Sequence, residues 1–247
     1  MNDQVAQRVA LVTGGSRGIG AAIARRLAHD GFAVGINYAA SAAEAEALAD
    51  EIRQAGGRAL AVRADVSRTA DVRAMFDAVH TEFGRIDVLV NNAGILQMQT
   101  LADTSDELYE KTFDINTRGT FNTLREAAAR LADGGSIVNV SSTTVALNLP
   151  GYSVYIASKA AVESLTQVFA KELRGRQIRV NAVAPGPVAT ELFFKGKSPE
   201  LTEHYAKMPP LERLGQPEDI SSIVSFLAGP DSGWVNGQIL RANGGVA

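Results

Sequence analysis

The sequence contains no cysteine and only three histidines. Without cysteine, the chain cannot form a disulfide, a thiolate metal site or a cysteine nucleophile. His29, His80 and His204 each stand in a polar context that is typical of surface histidines. They assemble neither a zinc cluster nor a catalytic triad, so we predict that the protein binds no metal.

Two further absences limit the partners of the chain. The formal net charge is −3, so no electrostatic argument favours nucleic acid or an anionic membrane as a partner. No apolar run reaches the ~18 to 20 residues of a membrane span, and no basic segment followed by an apolar run opens the sequence. We therefore expect a cytoplasmic protein that acts on a small molecule.

Short apolar runs typical of strands alternate with helical patterns along the chain. The run 8–12 precedes a helix in which Ile19, Ile23 and Leu27 recur at the spacing of one helix face. The same alternation predicts further strands over 32–37, 58–63, 86–90, 136–140, 178–183 and 238–241, and further helices over 42–55, 69–83, 105–131, 154–173 and 217–227. This order predicts a doubly wound, seven-stranded parallel sheet with helices on both faces, and hence the α/β class.

The chain shows no linker or repeat, so residues 1–247 are interpreted as one domain. Its one irregular insertion is 190–216, which contains Gly196, Pro199, Pro209 and Pro210. A segment of that length without a predicted element is usually functional. We predict that it forms a lid over the substrate. The predicted helix over 105–131 is expected to bend or break near Gly119.

A glycine-rich turn, 13–20, joins the first predicted strand to the first predicted helix. The free N–H groups of such a turn and the positive end of the helix dipole face the same point, which suits a phosphate. Glycine is needed because a Cβ atom would block the approach of a pyrophosphate. The position of the turn, between a strand and a helix, predicts a dinucleotide site.

The end of the second predicted strand indicates which dinucleotide is bound. An NAD-specific site places an acidic residue there, roughly 20 residues beyond the first glycines. The segment 37–41 reads Asn-Tyr-Ala-Ala-Ser and contains no carboxylate. Asn37, Ser41 and Arg17 can instead hydrogen-bond a 2′-phosphate, which favours NADP(H) over NAD(H). The alternative is that Arg17 only points to solvent.

Tyr155 and Lys159 stand four residues apart, so a helix places them on one face. A phenol titrates near pH ~10, and a neighbouring cation lowers its pKa. Tyr155 is therefore a candidate acid or base, although the pair alone is more typical of a solvated helix face.

Taken together, these motifs make the whole chain resemble the short-chain dehydrogenase/reductase family. The matching residues are Thr13–Gly20, Asp65-Val66, Asn91–Gly94, Asn116, Ser142, the Tyr-x-x-x-Lys of Tyr155 and Lys159, and Pro185–Thr190. The resemblance implies a single-domain Rossmann fold and a catalytic tetrad of Asn116, Ser142, Tyr155 and Lys159. It implies that Ser142 and Tyr155 bind and protonate a substrate oxygen, that Lys159 lowers the phenol pKa, and that Asn116 steadies a helix kink. Ser141 is the alternative to Ser142.

The glycine turn, the second strand and the resemblance together define the predicted cofactor-binding set. Its members are Gly14, Ser16, Arg17, Gly18, Ile19, Gly20, Asn37, Tyr38, Ser41, Asp65, Val66, Asn92, Ala93, Gly94, Tyr155, Lys159, Pro185, Gly186, Val188 and Thr190. Asp65 is expected at the adenine, and Val188 and Thr190 at the nicotinamide carboxamide. Alternatively, Asp65 only starts a turn and Thr190 only caps a helix.

An apolar set is predicted to line the substrate pocket: Leu96, Met98, Leu147, Leu149, Tyr152, Leu192, Phe193 and Phe194. Such a wall favours a hydrophobic ketone or alcohol, such as a 3-oxoacyl thioester. The segment 210–220 resembles that of 3-oxoacyl-carrier-protein reductases, yet Arg174, Arg176 and Arg179 supply positive charge on one side only, so docking of an acyl carrier protein is open.

Two functions are therefore predicted from the sequence, an NADPH-dependent oxidoreductase and, as the alternative, a non-catalytic NADP(H)-binding regulator of the same fold. The resemblance also implies a homotetramer in which the helices over 105–131 and 154–173 pack between subunits.

Overall fold

The computed structural model describes residues 7–247, and seven parallel strands form its central sheet. The strands are β1 (Val9–Val12), β2 (Ala33–Tyr38), β3 (Ala59–Arg63), β4 (Val88–Asn91), β5 (Ser136–Val140), β6 (Arg179–Pro185) and β7 (Ile239–Ala242). Their order across the sheet is β3-β2-β1-β4-β5-β6-β7. The predicted seven-stranded parallel sheet is confirmed.

Helices connect the strands and cover the sheet. They are α1 (Gly18–His29), α2 (Ala42–Gln54), α3 (Thr69–Phe83), α4 (Asp106–Phe113), α5 (Gly119–Arg130), α6 (Thr144–Leu147), α7 (Ser153–Glu172), α8 (Glu191–Phe194), α9 (Pro199–Lys207) and α10 (Pro217–Ala228). None of the helices within residues 7–247 combines the length and the apolar character that a membrane crossing requires.

The alternation of side chains along each strand builds one core on each face of the sheet. In β1, Ala10 and Val12 pack with α1, α2 and α10, where Ile23 and Leu227 are fully buried. Val9 and Leu11 point the other way and pack with α3, α5 and α7 around Phe76. Both faces are covered, as expected for a doubly wound sheet.

The site lies where the direction of winding reverses. β1 pairs with β2 on one side and with β4 on the other. The loops that follow β1 and β4 therefore diverge and leave a crevice at the carboxyl ends of the strands, where ligands bind in open α/β sheets.

The predicted long helix over 105–131 consists of three parts. Between α4 and α5, residues Asp114–Arg118 form a π-helical segment, and α5 begins at Gly119. A Cβ atom on Gly119 would lie 2.6 Å from Cγ2 of Val66, so only glycine lets α5 approach the loop after β3. The predicted break near Gly119 is present, and its form is a widened helical turn, a feature often found at functional sites.

The segment 190–216 is more regular than its sequence suggested. It contains α8 and α9, whose first turns are capped by Thr190 and Ser198; their hydroxyl oxygens accept hydrogen bonds from the N–H groups of Phe193 and Leu201. Both helices are short, so their caps contribute much of their local stability.

Candidate active site

Two cavities meet at the carboxyl edge of the sheet. The first, the cofactor cleft, is bordered by the glycine turn and the ends of β2, β3 and β4. The second, the substrate cavity, is bordered by the end of β5, α7 and the segment after β6. Ile19, Asn92, Gly94 and Thr190 line both. The two spaces are therefore continuous.

Two asparagine side chains hold the glycine turn from opposite sides. Nδ2 of Asn92 donates to the carbonyl oxygens of Thr13 and Gly14, at 3.0 and 2.9 Å. Oδ1 of Asn37 accepts from the N–H of Gly14 at 3.2 Å. The turn is thus fixed by the protein itself and presents the first turn of α1 to the cleft.

Asn37 differs from the sequence-based expectation. Its side chain is 1% exposed, and Nδ2 donates to the carbonyl oxygens of Val62 and Ala64, at 3.3 and 3.0 Å. Both of its polar atoms are used inside the protein, so this side chain does not serve as a donor for a 2′-phosphate. Its role is to tie the ends of β2 and β3 to the glycine turn.

Arg17 and Ser41 face the position where β2 ends. The Arg17 guanidinium lies 3.3 Å from a carboxylate oxygen of Glu191, in an exposed pair that joins the glycine turn to α8. Ser41 stands at the N-cap of α2 without a capping bond from its side chain. Arg17 is therefore not simply directed to solvent. A guanidinium, a hydroxyl group and the positive end of α2 border this part of the cleft.

Asp65 and Thr190 each carry out the local role that was proposed as an alternative, and each also lines the cofactor cleft. Oδ1 of Asp65 accepts from the N–H and the hydroxyl of Ser67, at 2.9 and 2.7 Å, which forms the turn before α3. Thr190 caps α8. A residue that forms a turn or caps a helix can thus also border the cofactor cleft.

Three glycines allow close packing of the backbone around the cleft. A Cβ atom on Gly14 would lie 2.9 Å from Cα of Ala93, and one on Gly20 would lie 2.2 Å from the carbonyl oxygen of Gly14. A Cβ atom on Gly94 would lie 3.3 Å from both Oδ1 of Asn116 and Nζ of Lys159. Glycine at these positions thus lets the turn, α1 and the loop after β4 pack directly against one another and against Asn116 and Lys159.

Lys159 is buried below the substrate cavity. Its side chain is 4% exposed, and Nζ donates to the carbonyl oxygen of Val140 at 2.8 Å. Nζ also lies 6.0 Å from the centre of the Tyr155 ring. Burial lowers the pKa of Lys159 to about 8, because a charged amine loses hydration inside the protein.

Tyr155 projects from α7 into the substrate cavity. Burial raises the pKa of its phenol, and the interaction with Ser142 lowers that pKa by a smaller amount. The sequence led us to expect that Lys159 lowers the phenol pKa; among the groups of the protein itself, burial has the largest effect and acts in the opposite direction. The phenol is therefore held in its protonated form, as a proton donor must be.

Ser142 and its neighbour Ser141 have different partners. The Ser142 hydroxyl oxygen accepts from the hydroxyl of Thr144 at 2.9 Å, and Ser142 interacts with Tyr155. The Ser141 hydroxyl instead donates to a carboxylate oxygen of Glu163 at 2.7 Å. Of the two serines, Ser142 has its hydroxyl beside the phenol, which favours it as the donor to a substrate oxygen.

Asn116 lies in the π-helical segment and is fully buried. Its side-chain amide accepts from the N–H of Ile95 at 2.8 Å and donates to the carbonyl oxygen of Ile95 at 3.0 Å. Nδ2 also donates to the hydroxyl of Ser158 at 3.0 Å. Asn116 thus joins the loop after β4 to α7. Its contact on α7 is Ser158, the residue before Lys159.

Six of the eight predicted substrate residues line the substrate cavity: Leu96, Leu147, Leu149, Tyr152, Leu192 and Phe193. Met98 and Phe194 do not line it and are 38% and 45% exposed. Sequence reasoning missed Lys197, Tyr205 and Met208 in the cavity wall and Ala64 and Ile115 in the cofactor cleft. Lys197 and Tyr205 both lie in the segment 190–216, whose irregular sequence already indicated a functional role. A search for apolar pocket residues does not select a lysine.

Comparison with known proteins agrees with this arrangement. A family model described as Enoyl-(Acyl carrier protein) reductase matches residues 14–247. The chain is 48% identical to the NADPH-dependent aldehyde reductase-like protein, chloroplastic, of Arabidopsis thaliana, over 98% of this chain and 94% of that protein.

Two solved structures are similarly close. A short-chain dehydrogenase/reductase from Serratia marcescens superposes with a TM-score of 0.93 at 39% identity, covering 98% of both chains. A short-chain dehydrogenase from Burkholderia cenocepacia in complex with NADP superposes with a TM-score of 0.92 at 38% identity, again covering 98% of both chains. The fold, the glycine turn and these likenesses place the chain among the oxidoreductases: it belongs to the short-chain dehydrogenase/reductase family.

Proposed function

We propose that the protein is an NADPH-dependent reductase of hydrophobic aldehydes and ketones. The observation that carries the proposal is the meeting of Ser142, Tyr155 and buried Lys159 in the wall of one cavity that opens into the cofactor cleft. NADP(H) is the preferred cofactor, because Arg17 and Ser41 border the end of β2 and no carboxylate follows that strand. The relative from Arabidopsis thaliana is named as NADPH-dependent, and the structure from Burkholderia cenocepacia contains NADP.

The residues of the chain bind and protonate the reacting oxygen. NADPH, when bound, supplies the hydride. Ser142 donates a hydrogen bond to the carbonyl oxygen as negative charge develops on it. Tyr155 gives its phenolic proton to that oxygen, and the Lys159 ammonium stabilises the phenolate that remains.

The cavity wall favours an apolar carbonyl compound over a sugar, because apolar residues, four of them leucines, outnumber the polar residues in it. A 3-oxoacyl thioester fits this class. Docking of an acyl carrier protein has little support, because Arg176 and Arg179 lie at or before the first residue of β6, whereas the site lies at the opposite end of that strand. Arg176 is also paired with Asp133. The cytoplasmic location and the homotetramer stay predictions, to be tested by localisation of a fusion protein and by light scattering.

The substitution Tyr155→Phe tests the proposed reaction. It should lower kcat by about a thousandfold, within the range of acid catalysis, while the Kd for NADPH stays within about threefold because a phenol oxygen alone is lost. Activity is measured as NADPH oxidation against aldehydes, aromatic ketones, quinones and an acetoacetyl thioester. Tyr109→Phe, at an exposed tyrosine of α4, is the matched control.

The same experiment separates the proposal from a non-catalytic regulator. A regulator would bind NADPH yet oxidise it with none of these compounds. An unchanged kcat in Tyr155→Phe would instead contradict the role given to the phenol.

A further inference from the structure

A second group of polar side chains, apart from those around Ser142 and Tyr155, lies in the wall of the substrate cavity. It consists of Lys197, Tyr205 and Tyr152, and we call it the lysine–tyrosine cluster. Lys197 and Tyr205 come from the segment after β6, and Tyr152 directly precedes α7. The catalytic steps proposed above use none of the three.

Lys197 is a partly buried cation without a carboxylate partner. Among residues 7–247, no carboxylate oxygen lies within 4.0 Å of its Nζ. Nζ donates to the carbonyl oxygen of Phe193 at 2.6 Å and lies 4.7 Å from the centre of the Phe193 ring. Burial lowers the pKa of its ammonium. One hydrogen bond leaves two of its three N–H groups free to bind an anion.

The two tyrosines add a further donor. Their hydroxyl oxygens are 3.3 Å apart, so one O–H donates to the other. The second O–H has no acceptor among the hydrogen bonds of the described chain. Tyr205 also packs against Phe193, with ring centres 5.8 Å apart, and its ring centre lies 6.0 Å from Nζ of Lys197. The ammonium therefore lies beside the ring of one member of the hydroxyl pair.

The cluster is connected to the reacting end of the cavity. The Tyr152 ring centre lies 6.4 Å from that of Tyr155, in an edge-to-face arrangement. A row of side chains thus leads from Tyr155 through Tyr152 and Tyr205 to Lys197. A substrate with its carbonyl oxygen at Tyr155 can extend along this row, between the leucine side chains of the wall.

We propose that the lysine–tyrosine cluster binds an anionic oxygen of the substrate, remote from the carbonyl that is reduced. The substrate class is then an apolar, ring-sized aldehyde or ketone that carries a carboxylate at its far end. This inference rests on the proposed reductase function and narrows its substrate. An anion at Lys197 supplies the counter-charge that the cavity wall lacks, and a desolvated ion pair with hydrogen bonds on both sides is a strong specificity determinant.

The competing explanation is that Lys197 only stabilises the lid. Its bond to the carbonyl of Phe193 satisfies an oxygen at the end of α8, and its stem covers the Phe193 ring. A purely structural lysine would affect charged and neutral substrates equally. The ratio of kcat/KM for the charged substrate to kcat/KM for the neutral one is therefore the informative quantity.

The test compares carboxylated ketones with their methyl esters. The probes are 4-acetylbenzoate and 6-acetyl-2-naphthoate, which differ in length, and the ester of each. The wild type should prefer the acids, and Lys197→Met should lower the acid-to-ester ratio of kcat/KM by about tenfold or more, as expected for loss of a charged hydrogen bond. Lys197→Arg should keep most of the preference. Lys195→Met removes an exposed lysine two residues away and should leave the ratio unchanged.

Binding measured without turnover keeps this test separate from the reductase proposal. The same acids and esters are titrated by calorimetry into the protein saturated with NADP⁺, which cannot donate a hydride, and into its Lys197→Met and Tyr205→Phe variants. Acid binding that depends on Lys197, without any reduction, would support the cluster and contradict the proposed reaction. If the wild type binds acid and ester equally, or if Lys197→Met weakens both by the same factor, the anion site is wrong.

Discussion

The ammonium of Lys159 donates a hydrogen bond to the carbonyl oxygen of Val140, 2.8 Å away. Val140 is the last residue of β5, so this bond fixes α7 against the carboxyl end of the strand that carries Ser142 two residues later. A long, flexible side chain is thereby held below Tyr155. The same burial that fixes Lys159 lowers its pKa to about 8.

That pKa predicts how the reductase activity depends on pH. Below about pH 8 Lys159 is charged and stabilises the phenolate formed when Tyr155 gives up its proton; above it, the neutral amine does not. The value of kcat/KM for carbonyl reduction should therefore fall as pH rises through about 8. It is measured from about pH 6 to about pH 10, a range that brackets the lysine.

Lys159→Arg provides the control for this assignment. A guanidinium stays charged at least up to about pH 12, so the falling limb should move out of the measured range in whatever activity the variant retains. A wild-type profile that is flat across the range, or a limb unchanged in Lys159→Arg, would assign the ionisation to another group.

Ser142→Ala and Ser141→Ala form a matched pair on adjacent residues. Ser142→Ala should lower kcat by about a hundredfold to a thousandfold, as loss of a donor to the developing oxyanion does. Ser141→Ala breaks the bond to Glu163 and should lower the free energy of unfolding by about 1 kcal/mol, with a much smaller effect on kcat. Steady-state kinetics and denaturant unfolding measure both. A larger loss of kcat in Ser141→Ala than in Ser142→Ala would make Ser141 the donor to the substrate oxygen.

Cofactor preference should be controlled at Ser41 rather than at Asn37. Ser41→Asp places a carboxylate at an N-cap position, where aspartate is well tolerated, and in the part of the cleft that Arg17 borders. It should weaken NADPH relative to NADH by about tenfold or more, because a carboxylate repels a 2′-phosphate.

The comparison variant is Asn37→Asp. It removes the donor to the carbonyl oxygens of Val62 and Ala64 and should lower stability by about 1 to 3 kcal/mol through unsatisfied buried groups. Binding titrations with both cofactors, together with thermal unfolding, separate the two effects. If Ser41→Asp leaves the ratio of the two Kd values unchanged, the 2′-phosphate lies elsewhere.

The fold was predictable because each of its determinants is local in sequence. The run 9–12 is apolar at every position, and the spacing of Ile19, Ile23 and Leu27 defines one face of α1, so strand and helix are both determined within a few residues. Gly119 also indicated, from sequence alone, the break in the predicted helix over 105–131. The π-helical form of that break was not predictable, since it depends on Asn116 meeting the backbone of Ile95 across the fold.

The site was predictable only as far as its motifs extend. Residue type suggested that Asn37 contacts a phosphate, but its orientation depends on the carbonyl groups of Val62 in β3 and of Ala64 just after it, to which its amide donates. The phenol pKa of Tyr155 likewise depends on burial by several elements, which no pair of residues reveals. Lys197 and Tyr205 enter the cavity through the packing of α8 and α9, two helices that the sequence pattern did not predict.

Gly20→Ala tests whether the glycine turn needs its glycines for close packing. Gly20 lies inside α1, where alanine normally stabilises a helix by up to about 1 kcal/mol. Here, however, the added Cβ atom would lie 2.2 Å from the carbonyl oxygen of Gly14 and 2.5 Å from Nδ2 of Asn92. The clash involves backbone and the amide that holds the turn, so we expect a loss of about 2 to 4 kcal/mol in unfolding free energy, as for other overpacked sites. NADPH binding should weaken as well, since α1 must shift away from the turn. Urea unfolding and a cofactor titration measure the two effects, and a variant as stable as the wild type would contradict the close approach of α1 to the turn.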